Sequence, residues 1–134
     1  VYTEVARLGL EDRVRFAGYV PASEQAFWYN AADVFAYLST YEGFGMPVLE
    51  ALACGLPVVA SATTSLPEAG GKGARLVRPD DEGAIADALN DVLANAALRG
   101  QMREQGLHHA AQFSWNAAAA ETLAVYERVI GGAP

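Results

Sequence analysis

Apolar residues in this chain fall into two alternating kinds of run: short continuous blocks, and longer stretches in which they recur every three or four positions. The blocks lie at 13–18 (RVRFAG), 33–38 (DVFAYL), 57–61 (PVVAS) and 74–77 (ARLV). They lack the sustained polar alternation of a half-exposed strand, so they predict short strands buried on both faces. The stretches at helical spacing lie between them and after the last. VYTEVARLGL opens the chain, and PASEQAFWYNAAD begins with Pro21 and offers Ser23 as an N-cap. GMPVLEALACG carries Met46, Leu49 and Ala53 in phase, with Pro47 in the first turn and Gly55 as the stop.

Beyond the last block, Asp80 is placed to cap a helix whose stripe is Ile85, Leu89, Val92 and Leu93. A further helix is expected near 96–112. Another starts at Ser114, with Trp115, Ala119, Leu123, Tyr126 and Ile130 along one side. TTSLPEAGGKG is expected to be a loop. Strands followed by helices imply a parallel sheet covered on both faces, hence an α/β chain of the doubly wound, Rossmann-like class. With 134 residues it is read as one domain, 1–134.

Composition narrows the chemistry. Hydrophobic residues make up 52% and charged residues 19%, as in a packed globule. The net charge of -7, with basic residues scattered, argues against nucleic acid as a partner. Cys54 is the one cysteine and His108 and His109 the only histidines, so neither a disulfide framework nor a metal-ligand spacing is present. Cys54 reads as a small buried thiol, the two histidines as solvent-facing, and Trp28, Tyr29 and Trp115 as packing residues. A chain of this kind is expected in the cytoplasm. Its beginning at Val1, inside a helical pattern without a cap, is read as a sign that an upstream portion is absent.

In open parallel sheets ligands bind beyond the carboxyl ends of the strands, which directs attention to the loop after 33–38, STYEGFGMP. Gly43 and Gly45 let the main chain approach a ligand, and Pro47 opens a helix whose free amides favour an anion such as a diphosphate. Glu42 and Glu50 flank that anion site. Carboxylates repel phosphate but can each accept two hydroxyls, so the pair makes sense if the ligand also carries diols, as the sugar and the ribose of a nucleotide sugar do. For an isolated glutamate a simple dipole preference would be the better account; the glycine-rich context reverses that weighting. GGKG at 70–73 lacks the Ser or Thr of a P-loop and reads as a flexible turn.

The run EGFGMPVLEALACGLPVVA resembles the signature of retaining GT-B glycosyltransferases of family 4, in which two glutamates stand with seven residues between them. LGLEDRVRFAGYV, DVFAYLS, LPEA, RPDD and FSW are also similar to that family, so the resemblance spans nearly the whole chain. It implies the C-terminal, donor-binding part of a GT-B enzyme that transfers a sugar from a nucleotide diphosphate sugar to an acceptor, with neither cofactor nor metal; the alternative reading is a non-catalytic nucleotide-sugar-binding or oligomerisation module. By the same resemblance Glu42 would hold sugar hydroxyls at the reacting centre and Glu50 the ribose diol. The backbone of Gly43, Phe44, Gly45 and Met46 would face the sugar and distal phosphate, and Tyr19 and Val20 would lie by the base. The family's basic diphosphate clamp and acceptor domain belong upstream of residue 1, and contact with a membrane surface would be made through that upstream domain. Leu38 stands before Ser39 where members often have proline. In the expected strand order the missing strands would lie between 13–18 and 33–38, so the chain alone is expected to expose an apolar strand edge and to dimerise, swap elements or re-pair its strands out of that order.

Overall fold

The computed structural model describes residues 1–132. The elements run α1 (Tyr2–Arg7), α2 (Ala22–Ala31), β1 (Phe35–Tyr37), α3 (Met46–Ala53), β2 (Val58–Ser61), α4 (Leu66–Gly70), β3 (Ala74–Val77), α5 (Glu82–Ala94), α6 (Ala96–Ala110) and α7 (Trp115–Ile130). The three strands form one parallel sheet in the order β1-β2-β3. Phe35 stands opposite Val58, and Val58 opposite Ala74.

β2 is the centre of the molecule, and all four of its residues are buried. Side chains alternate across a strand, so its two faces feed two cores. Val58 and Ala60 pack with Val48, Ala51 and Leu52 of α3 and with Leu66 and Ala69 of α4. Val59, on the opposite face, packs with Val77, with Ala88 and Val92 of α5 and with Met102 of α6. Fully burying one Val or Leu stabilises by about 1.5–3 kcal/mol, so these two layers are what hold the sheet between its helices. The α/β, doubly covered parallel sheet expected from the strand runs is therefore present.

Local chemistry explains several helix ends. α3 stops in a glycine motif: the Gly55 amide donates to the Leu52 carbonyl and the Leu56 amide to that of Ala51, with Gly55 at φ +72°. Asn95 caps α6 and Ser114 caps α7 through side-chain oxygens. Gly73 meets Gly106 so closely that a Cβ on Gly73 would lie 2.4 Å from the Gly106 Cα. Two glycines thus allow the turn before β3 to rest against α6.

The structure corrects several expectations. Residues 13–18 form no strand: a strand is held by a neighbour's backbone, and none lies alongside among the described residues. Instead the Arg13 and Val14 amides turn back to Leu10, and Phe16 stacks on Tyr2 at 3.9 Å. Ser23 lies inside α2, which starts after Pro21 without a side-chain cap. Asp81, not Asp80, caps α5, because the Asp80 carboxylate is paired with Arg78. α3 buries Val48, Ala51 and Leu52 and leaves Ala53 exposed; a helix apolar on most sides takes its phase from what it packs against. Leu93 is exposed because α6 and the sheet cover only the Ala88 and Val92 side of α5. The stretch read as a loop after β2 contains α4, whose Leu66 and Ala69 complete a core. The stripe of α7 forms, but no residue of α7 is buried among the described residues.

Candidate active site

β1 ends at Tyr37 and β2 at Ser61, so the loops that follow them emerge side by side at the carboxyl edge of the sheet. The first loop turns into α3 through Gly45, at φ +102°, where a Cβ would come within 2.7 Å of Leu66 Cδ2. Only glycine takes that backbone in that space without strain. The amides of Gly43, Phe44, Gly45 and Met46 have no hydrogen-bond partner among the described residues. Four free amides at the positive end of a helix are arranged as an anion would require.

Hydroxyls of the second loop hold the first in place. Thr63 Oγ1 donates to the Ser39 carbonyl at 3.3 Å, and Ser65 Oγ to that of Glu42 at 3.0 Å. The Glu42 amide in turn donates to Thr64 Oγ1 at 3.2 Å. Thr64 takes φ +48°, a left-handed conformation unusual for a β-branched residue, and is held in it at this junction. Ser39 Oγ closes its own loop on the Tyr41 carbonyl at 3.1 Å.

Both glutamates are half-buried, and each accepts a hydrogen bond from a tyrosine. Tyr37 donates to Glu42 Oε1 at 2.7 Å, and Tyr29 to Glu50 Oε2 at 3.1 Å. Burial first, and the Glu50 charge second, push the Tyr29 phenol up to about 12. The Tyr37 phenol is raised chiefly by its hydrogen bond to Glu42. Both hydroxyls are therefore protonated donors at neutral pH.

Next to the turn, a cleft of about 310 Å³ runs between Phe44, Met46 and Leu49 on one side and Phe113, Trp115 and Glu121 on the other. Phe44 meets Phe113 edge to face at 5.8 Å, and Phe113 meets His109 at 5.1 Å. His109 Nε2 lies 2.9 Å from the Glu68 carbonyl. This corrects the expectation of a solvent-facing residue for His109, which packs α6 against α4; His108 is exposed as expected. Cys54 is half-buried rather than buried.

Glu42, Gly43, Phe44, Gly45, Met46 and Glu50 are thus gathered on one turn and the helix behind it. Tyr19 and Val20 are not: Tyr19 is 89% exposed, and no hydrogen bond ties either residue to the turn. The sequence reading missed Tyr37 and the hydroxyl trio Thr63, Thr64 and Ser65, and placed Tyr29 only as packing. The trio had a visible signal, three consecutive hydroxyl residues at the carboxyl end of a buried strand. No helix is long and apolar enough to cross a membrane, and no cluster of three or more potential metal ligands occurs among the described residues.

Residues 1–109 match the family of glycosyl transferases group 1. The chain belongs to that family. It is 41% identical over 117 residues to the O-antigen chain mannosyltransferase B of Escherichia coli, covering 87% of this chain and 31% of that protein. It is 44% identical over 124 residues to the D-inositol 3-phosphate glycosyltransferase of Corynebacterium jeikeium, covering 91% of this chain and 30% of that one. Among solved structures, the sucrose-phosphate synthase of Thermosynechococcus elongatus superposes with TM-score 0.86 at 34% identity, over 98% of this chain and 34% of its own. Anabaena HepE in complex with UDP and glucose superposes with TM-score 0.83 at 30% identity, over 92% of this chain and 35% of its own. These neighbours are GT-B glycosyltransferases, and the chain spans about a third of the length of the relatives it matches.

Proposed function

We propose that this chain is the donor-binding part of a retaining glycosyltransferase, of the family 4 type, that moves a sugar from a nucleotide diphosphate sugar to an acceptor. The observation that carries the reading is the turn at 43–46, four unpartnered amides flanked by two carboxylates. The amides would take the distal phosphate and the developing charge on the leaving diphosphate. Glu42 would hold sugar hydroxyls at the reacting centre and Glu50 the ribose diol, with the backbone of Gly43, Phe44, Gly45 and Met46 along the sugar. Tyr19 and Val20 would lie by the base. The binding of UDP and glucose by Anabaena HepE supports a nucleotide sugar as ligand.

In this reading catalysis consists of positioning the donor and stabilising the leaving group, with neither a metal nor a protein nucleophile. The acceptor domain and the basic diphosphate clamp would be supplied from outside these residues, so the chain alone binds donor without turning it over. The complete enzyme would work in the cytoplasm, at the membrane periphery through its upstream domain. The test is Glu42→Ala in the complete enzyme. Turnover should fall far more than affinity for the bare nucleotide; comparable losses of both would assign Glu42 to the nucleotide instead.

A further inference from the structure

Glu42 is held at three points by residues from elsewhere in the chain. Its amide rests on Thr64 Oγ1, its carbonyl receives Ser65 Oγ, and its carboxylate receives the Tyr37 hydroxyl. The first two bonds place the backbone of the loop. The third places the side chain, which a loop in need only of a fixed backbone would leave free. Tyr37 is well suited to hold a side chain still, being the last residue of β1 and half-buried, with its ring stacked on Phe35 at 5.8 Å and 27°. The phenol oxygen therefore projects from a residue paired into the sheet, and its 2.7 Å bond falls in the range of charge-assisted hydrogen bonds.

We propose that Tyr37 is the positioning residue of the donor site, binding Glu42 Oε1 so that Oε2 is presented in a fixed orientation to the sugar hydroxyls. The proposal rests on the reading of Glu42 given above. Among the described residues Oε2 accepts no hydrogen bond, so the tyrosine occupies one carboxylate oxygen and reserves the other. Freezing a glutamate rotamer before the ligand arrives removes that ordering cost from the bound state. The benefit should appear where the sugar must be aligned for reaction, because a small error in orientation costs turnover more than it costs binding. The competing account is that Tyr37 is only a packing residue whose hydroxyl takes the nearest acceptor, in which case removal of the hydroxyl would change nothing specific to the sugar.

The experiment is a double-mutant cycle in the complete enzyme, with UDP-glucose as donor probe and UDP as nucleotide probe. Tyr37→Phe keeps the ring and its stacking and removes the hydroxyl. It should lower kcat about ten- to hundred-fold, the range for losing a hydrogen bond to a charged group, with UDP affinity unchanged. In a Glu42→Ala background the same substitution should have no further effect. Replacing Tyr37 with 3-fluorotyrosine, which retains the hydroxyl, should keep turnover within a few-fold of the parent. Because the fluorine makes the phenol more acidic, and a phenolate cannot donate to Glu42, the alkaline fall in kcat should move to lower pH in this variant; an unmoved fall would overturn the proposal even if the phenylalanine enzyme fails to fold. An unchanged kcat in Tyr37→Phe, an equal loss with and without Glu42, or a fluorotyrosine enzyme as slow as Tyr37→Phe would each overturn the proposal while leaving the role of Glu42 intact. Normal turnover of Glu42→Ala itself would instead overturn the reading of the site.

Discussion

The hydroxyl of Tyr29, on α2, donates to Oε2 of Glu50, on α3, across 3.1 Å. This bond ties a helix that buries no residue of its own to the helix that follows the glycine turn at 43–46. Tyr29 also meets Phe35 edge to face at 5.5 Å, so its ring is seated on β1 while its hydroxyl reaches the glutamate.

The raised Tyr29 phenol makes alkaline stability a readout of this contact. In the unfolded chain tyrosine titrates near 10; in the fold burial and Glu50 push it up to about 12. Between those values the folded state retains a proton that the unfolded state has lost. The contribution is therefore fully present below about pH 10 and is lost as the pH rises through about 12. Denaturant midpoints measured from pH 9 to 12 should fall more steeply for the parent chain than for Tyr29→Phe. Parallel curves would show that the phenol is not perturbed.

Glu50→Gln should weaken binding of a nucleoside diphosphate by roughly 1–3 kcal/mol, because a charge-assisted acceptor for the ribose diol becomes a neutral one. Calorimetry on the complete enzyme measures it, and equal affinities would remove Glu50 from the ribose site.

Gly45→Ala should destabilise the fold by about 1–3 kcal/mol. The new methyl group must adopt φ +102° and enter space held by Leu66 Cδ2 at 2.7 Å and Ala69 Cβ at 3.3 Å. Chemical denaturation gives the value, and a stability equal to the parent would show that the loops after β1 and β2 are less tightly joined than the contacts imply.

Ser61→Ala should be neutral or stabilising by up to about 1 kcal/mol. Ser61 is fully buried at the end of β2, and its hydroxyl has no hydrogen-bond partner among the described residues. Removing an unsatisfied buried hydroxyl relieves a desolvation cost. A clear loss of melting temperature would reveal a partner for it.

The chain alone should self-associate. β1 pairs with β2 along one edge only, leaving the outer edge of Phe35–Tyr37 without a strand neighbour among the described residues. An open edge on a parallel sheet is a template for another chain. Light scattering at increasing concentration should show mass above that of a monomer, and a strict monomer throughout would overturn the expectation.

Features legible from the residues alone are local or periodic. The blocks at 33–38, 57–61 and 74–77 marked the three strands because short apolar runs leave their imprint in composition, although only β2 is buried along its whole length, β1 and β3 being partly exposed at the edges of the sheet. Gly43, Gly45, Pro47, Glu42 and Glu50 marked the turn into α3 because its backbone conformation is specified within nine consecutive residues. The helix start at Ser114 and the stop at Gly55 are likewise short-range effects. Packing between distant segments settled the rest. RVRFAG has the composition of a strand, but pairing needs a second backbone, and Phe16 turned to Tyr2 instead. α3 is apolar on most of its circumference, so packing against the sheet, α4 and α6 selected Val48, Ala51 and Leu52 as its buried face. Tyr29 and Tyr37 looked like ordinary packing residues because a hydrogen bond spanning 21 positions, or one reaching from a strand end into the following loop, leaves no periodic trace in the chain.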